Sequence, residues 1–252
     1  MSGLIFIIGL LFGSFYNVVG LRIPNGESII SPGSHCPKCG HRLAWYENIP
    51  VLSYLLLLGK CKDCRTFISL MYPAMELLTG VLFLISYQLF GFSESFFLSV
   101  IISSLLVLIF ITDAKYMIIL DEVLVVGGLL IFIIKVAYQG IMSGLLSLGY
   151  GLLIFISVYA LMLMGNYLFK KESLGGGDIK LSFLAGMLLG PVLGWFYIIL
   201  ASFLAFPYAV YVTIKNDDHM LPFGPFLIAS IFLCYCNSYL ILEFLRRLIG
   251  LS

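Results

Sequence analysis

Charged side chains are scarce in this sequence. Only 11% of its 252 residues are Asp, Glu, Lys or Arg, whereas 61% are hydrophobic. A soluble domain of this length cannot bury that much apolar surface, so the lipid bilayer must surround most of the chain. The sequence also has only three histidines and no basic tract, which argues against nucleic acid as a partner.

Long polar stretches are almost absent as well, which excludes a large soluble domain. The apolar segments predict an all-α polytopic membrane protein with about eight transmembrane helices. The predicted spans are Gly3–Leu21, Phe67–Phe90, Phe96–Thr112, Tyr116–Tyr138, Ile141–Phe169, Ile179–Val192, Leu193–Ile214 and Leu221–Ile249. The dipeptide Gly190-Pro191 indicates a turn between the sixth and seventh spans. Because these two segments are short, seven spans are the alternative.

The N-terminal apolar run is interpreted as the first span because it lacks the basic start of a signal peptide.

Only the connection from Arg22 to Arg65 is both long and polar, and it contains two Cys-x-x-Cys pairs. These are Cys36-Pro37-Lys38-Cys39 and Cys61-Lys62-Asp63-Cys64, separated by 21 residues. Paired spacing of this kind is typical of a zinc ribbon, in which four thiolates hold a structural Zn²⁺. We therefore predict a cytoplasmic, zinc-ribbon-like loop domain at residues 22–66, between a first helix at 1–21 and a membrane core at 67–252.

Other residues of this connection have simpler interpretations. His35 and His41 flank the first cysteine pair and are predicted not to be ligands. The apolar run Val51–Leu58 is too short to span the membrane, so we expect a strand or a short helix. Cys234 and Cys236 lie in the last span and are expected to be packing residues.

The distribution of Lys and Arg predicts the orientation of the chain. Eleven of the 14 lie on the side of the cysteine-rich connection, which places that connection in the cytoplasm and the N-terminus outside. The pair Arg246-Arg247 disagrees with this rule, although a seven-span fold would remove the exception. Whether the chain has seven or eight spans, Asp113 at the end of the third span and Asp178 at the start of the sixth face the cytoplasm.

Asp113 and Asp178 are therefore predicted to lie at one depth on one membrane face. Two carboxyl groups that share a water can hydrolyse a peptide: one takes a proton from the water while the other polarises the carbonyl. Gly175 and Gly177, just before Asp178, would let an extended peptide come close. The alternatives are that Asp178 only caps a helix and that Asp113 only pairs with Lys115.

Four further acidic or basic residues have open roles. Asp121 and Glu122 follow Asp113 closely enough to compete with it as the functional carboxylate. Lys180 either tunes the charge of Asp178 or marks the cytoplasmic end of its helix. Glu76, near the start of the second span, is either functional or a favourable contact at a helix N-terminus.

Several motifs follow one another in a specific order. They are Gly13-Ser14-Phe15-Tyr16-Asn17-Val18, Arg22-Ile23-Pro24, His35-Cys36, the second cysteine pair, Tyr72-Pro73-Ala74-Met75-Glu76-Leu77, Thr112-Asp113 with Asp121, Gly175-Gly176-Gly177-Asp178-Ile179-Lys180 and Pro222-Phe223-Gly224-Pro225-Phe226. This ordered set resembles the type IV prepilin peptidases, which are similar to the intramembrane aspartic proteases with a G-x-G-D motif. One departure is Ile119-Leu120-Asp121, where that family usually has Ile-Pro-Asp. Taken alone, the Pro222–Phe226 motif is interpreted as a rigid helix entry.

The resemblance implies a function for these residues. Asp113 and Asp178 would be the catalytic pair, supported by Gly175, Gly177, Lys180, Asp121 and Glu76. The enzyme would lie in a bacterial inner membrane and cleave the short basic leader from prepilins or pilin-like pseudopilins. Many members of the family also methylate the new N-terminus with S-adenosylmethionine, using the first cytoplasmic loop.

Two other classes of function fit parts of the sequence. Acidic residues within a membrane also serve as ion or proton relays in transporters. The cysteine-rich loop is also compatible with a non-catalytic, zinc-bearing assembly scaffold.

Overall fold

The computed structural model describes residues 1–170, 174–215 and 222–248, and these form α-helices with no β-strand among them. The helices are α1 (Ser2–Arg22), α2 (Leu52–Leu56), α3 (Met71–Phe90), α4 (Glu94–Tyr116), α5 (Asp121–Gln139), α6 (Ile141–Phe169), α7 (Gly176–Lys215), α8 (Gly224–Cys236) and α9 (Ser238–Leu248). The predicted all-α class is therefore confirmed.

Length and composition identify the helices that can cross a membrane. Within the described residues, α1, α3, α4, α6 and α7 are long and apolar enough, and α8 with α9 makes a sixth candidate if the bent pair is counted as one span. The chain is thus a multi-pass membrane protein. The total of eight spans remains a prediction.

Residues Met1–Gly91 form one compact unit, in which α1 packs tightly against α3. Gly9 and Gly13 of α1 are spaced like the glycines of a GxxxG motif, which allows two backbones to come close in a membrane. A Cβ atom on Gly9 would lie 2.7 Å from the Cα of Gly80, and one on Gly13 would lie 2.6 Å from the Cα of Glu76. This close approach places Glu76 against the middle of α1.

The connection between α1 and α3 contains the short helix α2, which confirms the prediction for the run Val51–Leu58. The second predicted span begins at Met71 instead of Phe67. The reason is that Phe67 forms an isolated bridge with Lys60 across the second cysteine pair. Phe67 therefore belongs to the cysteine-rich loop and not to the membrane helix.

The described residues from Phe92 onward form a second compact unit, in which a short linker joins α4 to α5. The helix α4 continues to Tyr116 and is ended by Met117, which adopts the left-handed conformation at φ 54°. The next helix begins only at Asp121. The predicted start of the fourth span at Tyr116 is therefore wrong, because residues 117–120 form a non-helical linker.

The helix α7 consists of two halves that fold back on each other. Gly190 interrupts the helix with φ 73° and ψ −172°, a conformation that suits only glycine. A Cβ atom on Gly194 would lie 3.6 Å from the Cα of Gly186, whereas eight residues of straight helix would separate these positions by about 12 Å. The turn predicted at Gly190-Pro191 is therefore confirmed.

The predicted last span, Leu221–Ile249, is wrong as a single helix. Its described part consists of α8 and α9, which meet at an angle of 84° around Asn237. The start of α8 contacts Asp113 in the last turn of α4, and Cys236 at its end interacts with Ser99 near the start of α4. Hence α8 runs antiparallel to α4, and α9 turns away at the end far from Asp113.

Candidate active site

Asp113 lies in the last turn of α4 and is almost fully buried, with 6% of its surface exposed. Its Oδ2 accepts a hydrogen bond of 3.0 Å from the backbone N–H of Gly224, the first residue of α8. Lys115 instead lies over the ring of Tyr116, 5.1 Å from its centroid. The alternative in which Asp113 pairs with Lys115 in interfacial water is therefore wrong.

Asp178 lies in the first turn of α7, two residues after the helix begins at Gly176. It lies inside the helix, and its carboxyl group accepts a hydrogen bond from the backbone N–H of Gly175. The preceding glycines are needed for close packing: a Cβ atom on Gly175 would lie 3.2 Å from Asp178 Oδ2, and one on Gly177 would lie 2.8 Å from the Cβ of Ile119. Larger residues would displace either the carboxyl group or the linker between α4 and α5.

Asp113 and Asp178 line the same cavity, which has a volume of about 430 Å³. Its wall is formed by the end of α4, the linker of residues 117–120, the start of α5, the glycine loop and the first turn of α7. Two carboxyl groups that face one cavity can bind a water between them and share a proton.

The side chains of Lys180 and Asp121 form an ion pair at the edge of this cavity. Lys180 Nζ lies 2.7 Å from both carboxylate oxygens of Asp121, so the pair connects the first turns of α7 and α5. Lys180 is thus placed against Asp121. Glu122 also lines this cavity, so the role of Asp121 and Glu122 relative to Asp113 stays a prediction.

Gly224 contacts Asp113, which the sequence does not predict. The motif Pro222–Phe226 predicts a rigid entry to a helix, and α8 does begin there. In addition, a Cβ atom on Gly224 would lie 2.8 Å from Asp113 Oδ2 and 3.2 Å from Ile119 Cδ1. A glycine between two prolines at a helix start was the available signal, but the sequence did not reveal its partner 111 positions away.

The four cysteines of the two Cys-x-x-Cys pairs form a cluster. Their Sγ atoms all lie within 4.8 Å of one another, with Cys36 at 3.8 Å from Cys64 and Cys39 at 3.9 Å from Cys61. Tetrahedral zinc with Zn–S bonds of about 2.3 Å requires sulfur atoms about 3.8 Å apart. The donor set and its spacing therefore fit a metal ion such as zinc.

His41 lies beside this cluster and joins the two cysteine pairs. Its Nε2 lies 3.1 Å from Glu47 Oε2, and its Nδ1 lies 2.8 Å from Asp63 Oδ2, between the second pair of cysteines. The backbone N–H of Ala44 donates a hydrogen bond to Glu47 and, together with His41, lowers the pKa of this carboxyl group. His41 is thus held by two carboxylates, and His35 Nδ1 lies 3.0 Å from the carbonyl oxygen of Gly33. That neither histidine is a metal ligand remains a prediction.

Glu76 is buried in α3 and makes two polar contacts within the first unit. Its Oε2 accepts a hydrogen bond of 2.7 Å from the backbone N–H of Val51, and the Ser14 hydroxyl donates to the same carboxyl group. Glu76 therefore binds the cysteine-rich connection and α1 at once. This is more than the helix N-terminus contact that the sequence offered as the alternative.

Residues 7–90 match the model described as the bacterial peptidase A24 N-terminal domain, and residues 100–210 match the model of the type IV leader peptidase family. No solved structure matches the chain.

Similar proteins come from several bacteria. A Bacillus subtilis protein named prepilin leader peptidase/N-methyltransferase is 37% identical over 253 residues, which cover 97% of each chain. A Vibrio cholerae protein with the same name is 32% identical over 89% of this chain and 92% of its own. An Escherichia coli protein named type 4 prepilin-like proteins leader peptide-processing enzyme is 34% identical over 89% of this chain and 91% of its own. The chain therefore belongs to the type IV leader peptidase family.

Proposed function

We propose that this protein is a membrane-embedded aspartic endopeptidase that removes the leader from type IV prepilins or pilin-like pseudopilins. The observation that carries this proposal is that Asp113 and Asp178, from the ends of α4 and α7, line one cavity. Family membership supports the same activity. The substrate assignment follows from the names of the relatives, which process prepilins.

The reaction starts from a pair of carboxyl groups that together hold one proton. The ionised carboxylate takes a proton from the bound water as its oxygen attacks the scissile carbonyl carbon, and the protonated carboxyl group gives its proton to the carbonyl oxygen. The resulting tetrahedral diol then loses a hydroxyl proton to the second carboxylate, while the first returns its proton to the peptide nitrogen. The C–N bond breaks, and the pair regains its initial state.

The position of the cavity suits a substrate that has a polar leader and an apolar helix. Both aspartates lie within one turn of a helix end, where an extended segment has access from the membrane border. The excess of Lys and Arg in the connections on this side supports a cytoplasmic location. The scissile bond would then lie where the leader meets the hydrophobic helix of the prepilin.

The cysteine cluster has a structural role in this proposal. Cys36, Cys39, Cys61 and Cys64 would hold one Zn²⁺, and four protein ligands leave no open position for a substrate. The ion would connect the two cysteine pairs and so stabilise the fold of the loop. A second activity, methylation of the new N-terminus with S-adenosylmethionine as donor, is proposed from the names of the relatives.

The decisive experiment uses purified protein in liposomes with a prepilin substrate and mass spectrometry as the readout. Asp113→Asn and Asp178→Asn keep the size of each side chain but remove the titrating group, so both variants should insert normally and leave the prepilin uncleaved. Glu27→Gln, which alters an exposed carboxylate of the loop, should cleave like the wild type. Full activity of either aspartate variant would overturn the proposal. The mass of the wild-type product also reports any added methyl group.

The same liposomes test for transport, and a pilus-assembly assay in cells tests for a scaffold. A transporter would produce ion flux without cleavage of the peptide. A scaffold would support pilus assembly with both aspartates replaced. The acidic residues of the cavity lie at the ends of helices and not at their middles. This position favours a peptidase over an ion or proton relay that spans the membrane.

A further inference from the structure

The start of α8 contacts the Asp113 carboxyl group, although the cavity itself is lined by α4, α5, α7 and the loops that precede α5 and α7. The backbone N–H of Gly224 reaches Asp113 Oδ2 at 3.0 Å in a buried contact that joins positions 111 residues apart. Charge-assisted hydrogen bonds of this kind are stronger than neutral ones. The contact therefore fixes both the direction of the Asp113 carboxyl group and its distance from α8.

The other residues in the first turn of α8 have no free backbone N–H to donate to the Asp113 carboxyl group. Pro225 has no N–H, and the N–H groups of Phe226 and Leu227 both donate to the carbonyl of Phe223. The N–H of Gly224 is thus the first-turn donor that α8 directs at a side chain. Glycine is required there because a Cβ atom would lie 2.8 Å from the same carboxylate oxygen.

The location of Asp113 explains why such a donor matters. Asp113 lies in the last turn of α4, where the negative end of the helix dipole disfavours a carboxylate. The first residue of α8 presents the positive end of a second helix dipole to the same oxygen. The contact with Gly224 therefore offsets an unfavourable position that α4 alone would impose.

We propose that Gly224 is a positioning residue for the peptidase reaction, which holds the Asp113 carboxylate in its ionised form and directs it at the bound water. This inference rests on the proposed function, because it presupposes that Asp113 takes part in the chemistry. It adds α8 to the two helices that carry the aspartates. It also gives the Pro222–Phe226 motif a role beyond starting a helix.

The test compares Gly224→Ala with Gly149→Ala. The added Cβ at position 224 would push Asp113 away, whereas a Cβ at position 149 meets no atom within 4 Å. Loss of one hydrogen bond to a charged group should lower kcat by about ten- to a hundredfold, with KM nearly unchanged. Gly149→Ala should behave like the wild type.

A pH profile separates positioning from a general loss of structure. Without its donor, the Asp113 carboxylate is protonated more easily, so the acid limb of the kcat profile should move to higher pH. The charged groups near Asp113 that stay the same in both variants are Asp178, Asp121, Glu122, Lys180 and Lys115. A uniform loss of rate with an unmoved acid limb would indicate a structural role only and would overturn the inference.

A second variant covers the case in which Gly224→Ala does not fold. Replacement of Gly224 by glycolic acid turns its amide into an ester, which removes the N–H and adds no volume. This variant should show the same shift of the acid limb. If the ester has a wild-type profile, the inference fails while the proposed function stands. If Asp113→Asn is fully active, the proposed function itself fails.

Discussion

Glu76 Oε2 accepts a hydrogen bond of 2.7 Å from the backbone N–H of Val51, which lies 25 positions earlier in the chain. Val51 has φ 61° and ψ −49°, a strained backbone conformation for a β-branched residue. The contact holds this residue at the start of α2. It therefore connects the cysteine-rich loop to α3 within the first compact unit.

Replacement of Glu76 by alanine should release Val51 and loosen the loop. The partly buried N–H of Val51 would lose its acceptor, which should reduce stability by about 1 kcal/mol. Glu76→Gln should lose less, because its amide oxygen can still accept the bond. The measurements are the thermal midpoint in detergent and the rate of tryptic cleavage within residues 22–65. Glu27→Ala is the control, and equal stability of the alanine and glutamine variants would contradict this role.

The cysteine cluster predicts one bound zinc ion per chain. Cys39→Ser replaces a thiolate by a poor ligand, so the zinc content measured by elemental analysis should fall strongly, and the loop should become sensitive to trypsin. Cys236→Ser alters a cysteine of α8 outside the cluster and should retain the metal. Wild-type protein purified without chelator and found free of zinc would contradict the prediction.

Residue type and spacing predicted the parts of the site that can be recognised from residues close together in the sequence. The Cys-x-x-Cys pairs indicated a four-thiol cluster because this spacing has few other uses, and the structure brings the four sulfur atoms together. Asp113 and Asp178 stood out because charge is rare in apolar segments. Their meeting in one cavity followed from topology alone, since both lie at helix ends predicted to face the same side.

The long-range contacts could not be read from the sequence. Nothing near Gly224 or Val51 indicates that their backbone N–H groups bond to Asp113 and Glu76, because such contacts depend on how distant helices pack. The bend between α8 and α9 was missed for a different reason. The segment is apolar on average, and the change to an amphipathic pattern near Asn237 is hidden when the whole segment is treated as one span.

The ion pair between Lys180 and Asp121 should affect activity more than stability. Both side chains are more than half exposed, and exposed pairs typically contribute about 0.2–1 kcal/mol. The pair nevertheless connects the first turns of α7 and α5 at the edge of the cavity. Lys180→Met and Asp121→Asn should therefore each lower kcat/KM while the thermal midpoint changes little.

A double-mutant cycle tests whether the two residues act together. The effects of Lys180→Met and Asp121→Asn on kcat/KM should be less than additive, because either change already breaks the pair. High salt should reduce the difference between wild type and variants, since exposed charges are screened. Strictly additive effects would mean that Lys180 acts on another partner, such as Asp178.

The packing of α7 against α6 should control the position of Asp178. A Cβ atom on Gly186 would lie 2.5 Å from the carbonyl oxygen of Tyr150 and 2.9 Å from the Cα of Gly151. Backbone atoms cannot move aside as a flexible side chain can, so Gly186→Ala should force the two helices apart. Overpacking of this kind should destabilise the protein by about 1–3 kcal/mol.

The same substitution should also lower activity, because Gly186 lies about two helical turns after Asp178. A shift of α7 would carry Asp178 away from Asp113, so kcat should fall together with the thermal midpoint. Gly149→Ala, a change in α6 that meets open space, is the matched control and should leave both quantities unaltered. If Gly186→Ala is as stable and active as this control, the close contact between α6 and α7 does not set the geometry of the aspartate pair.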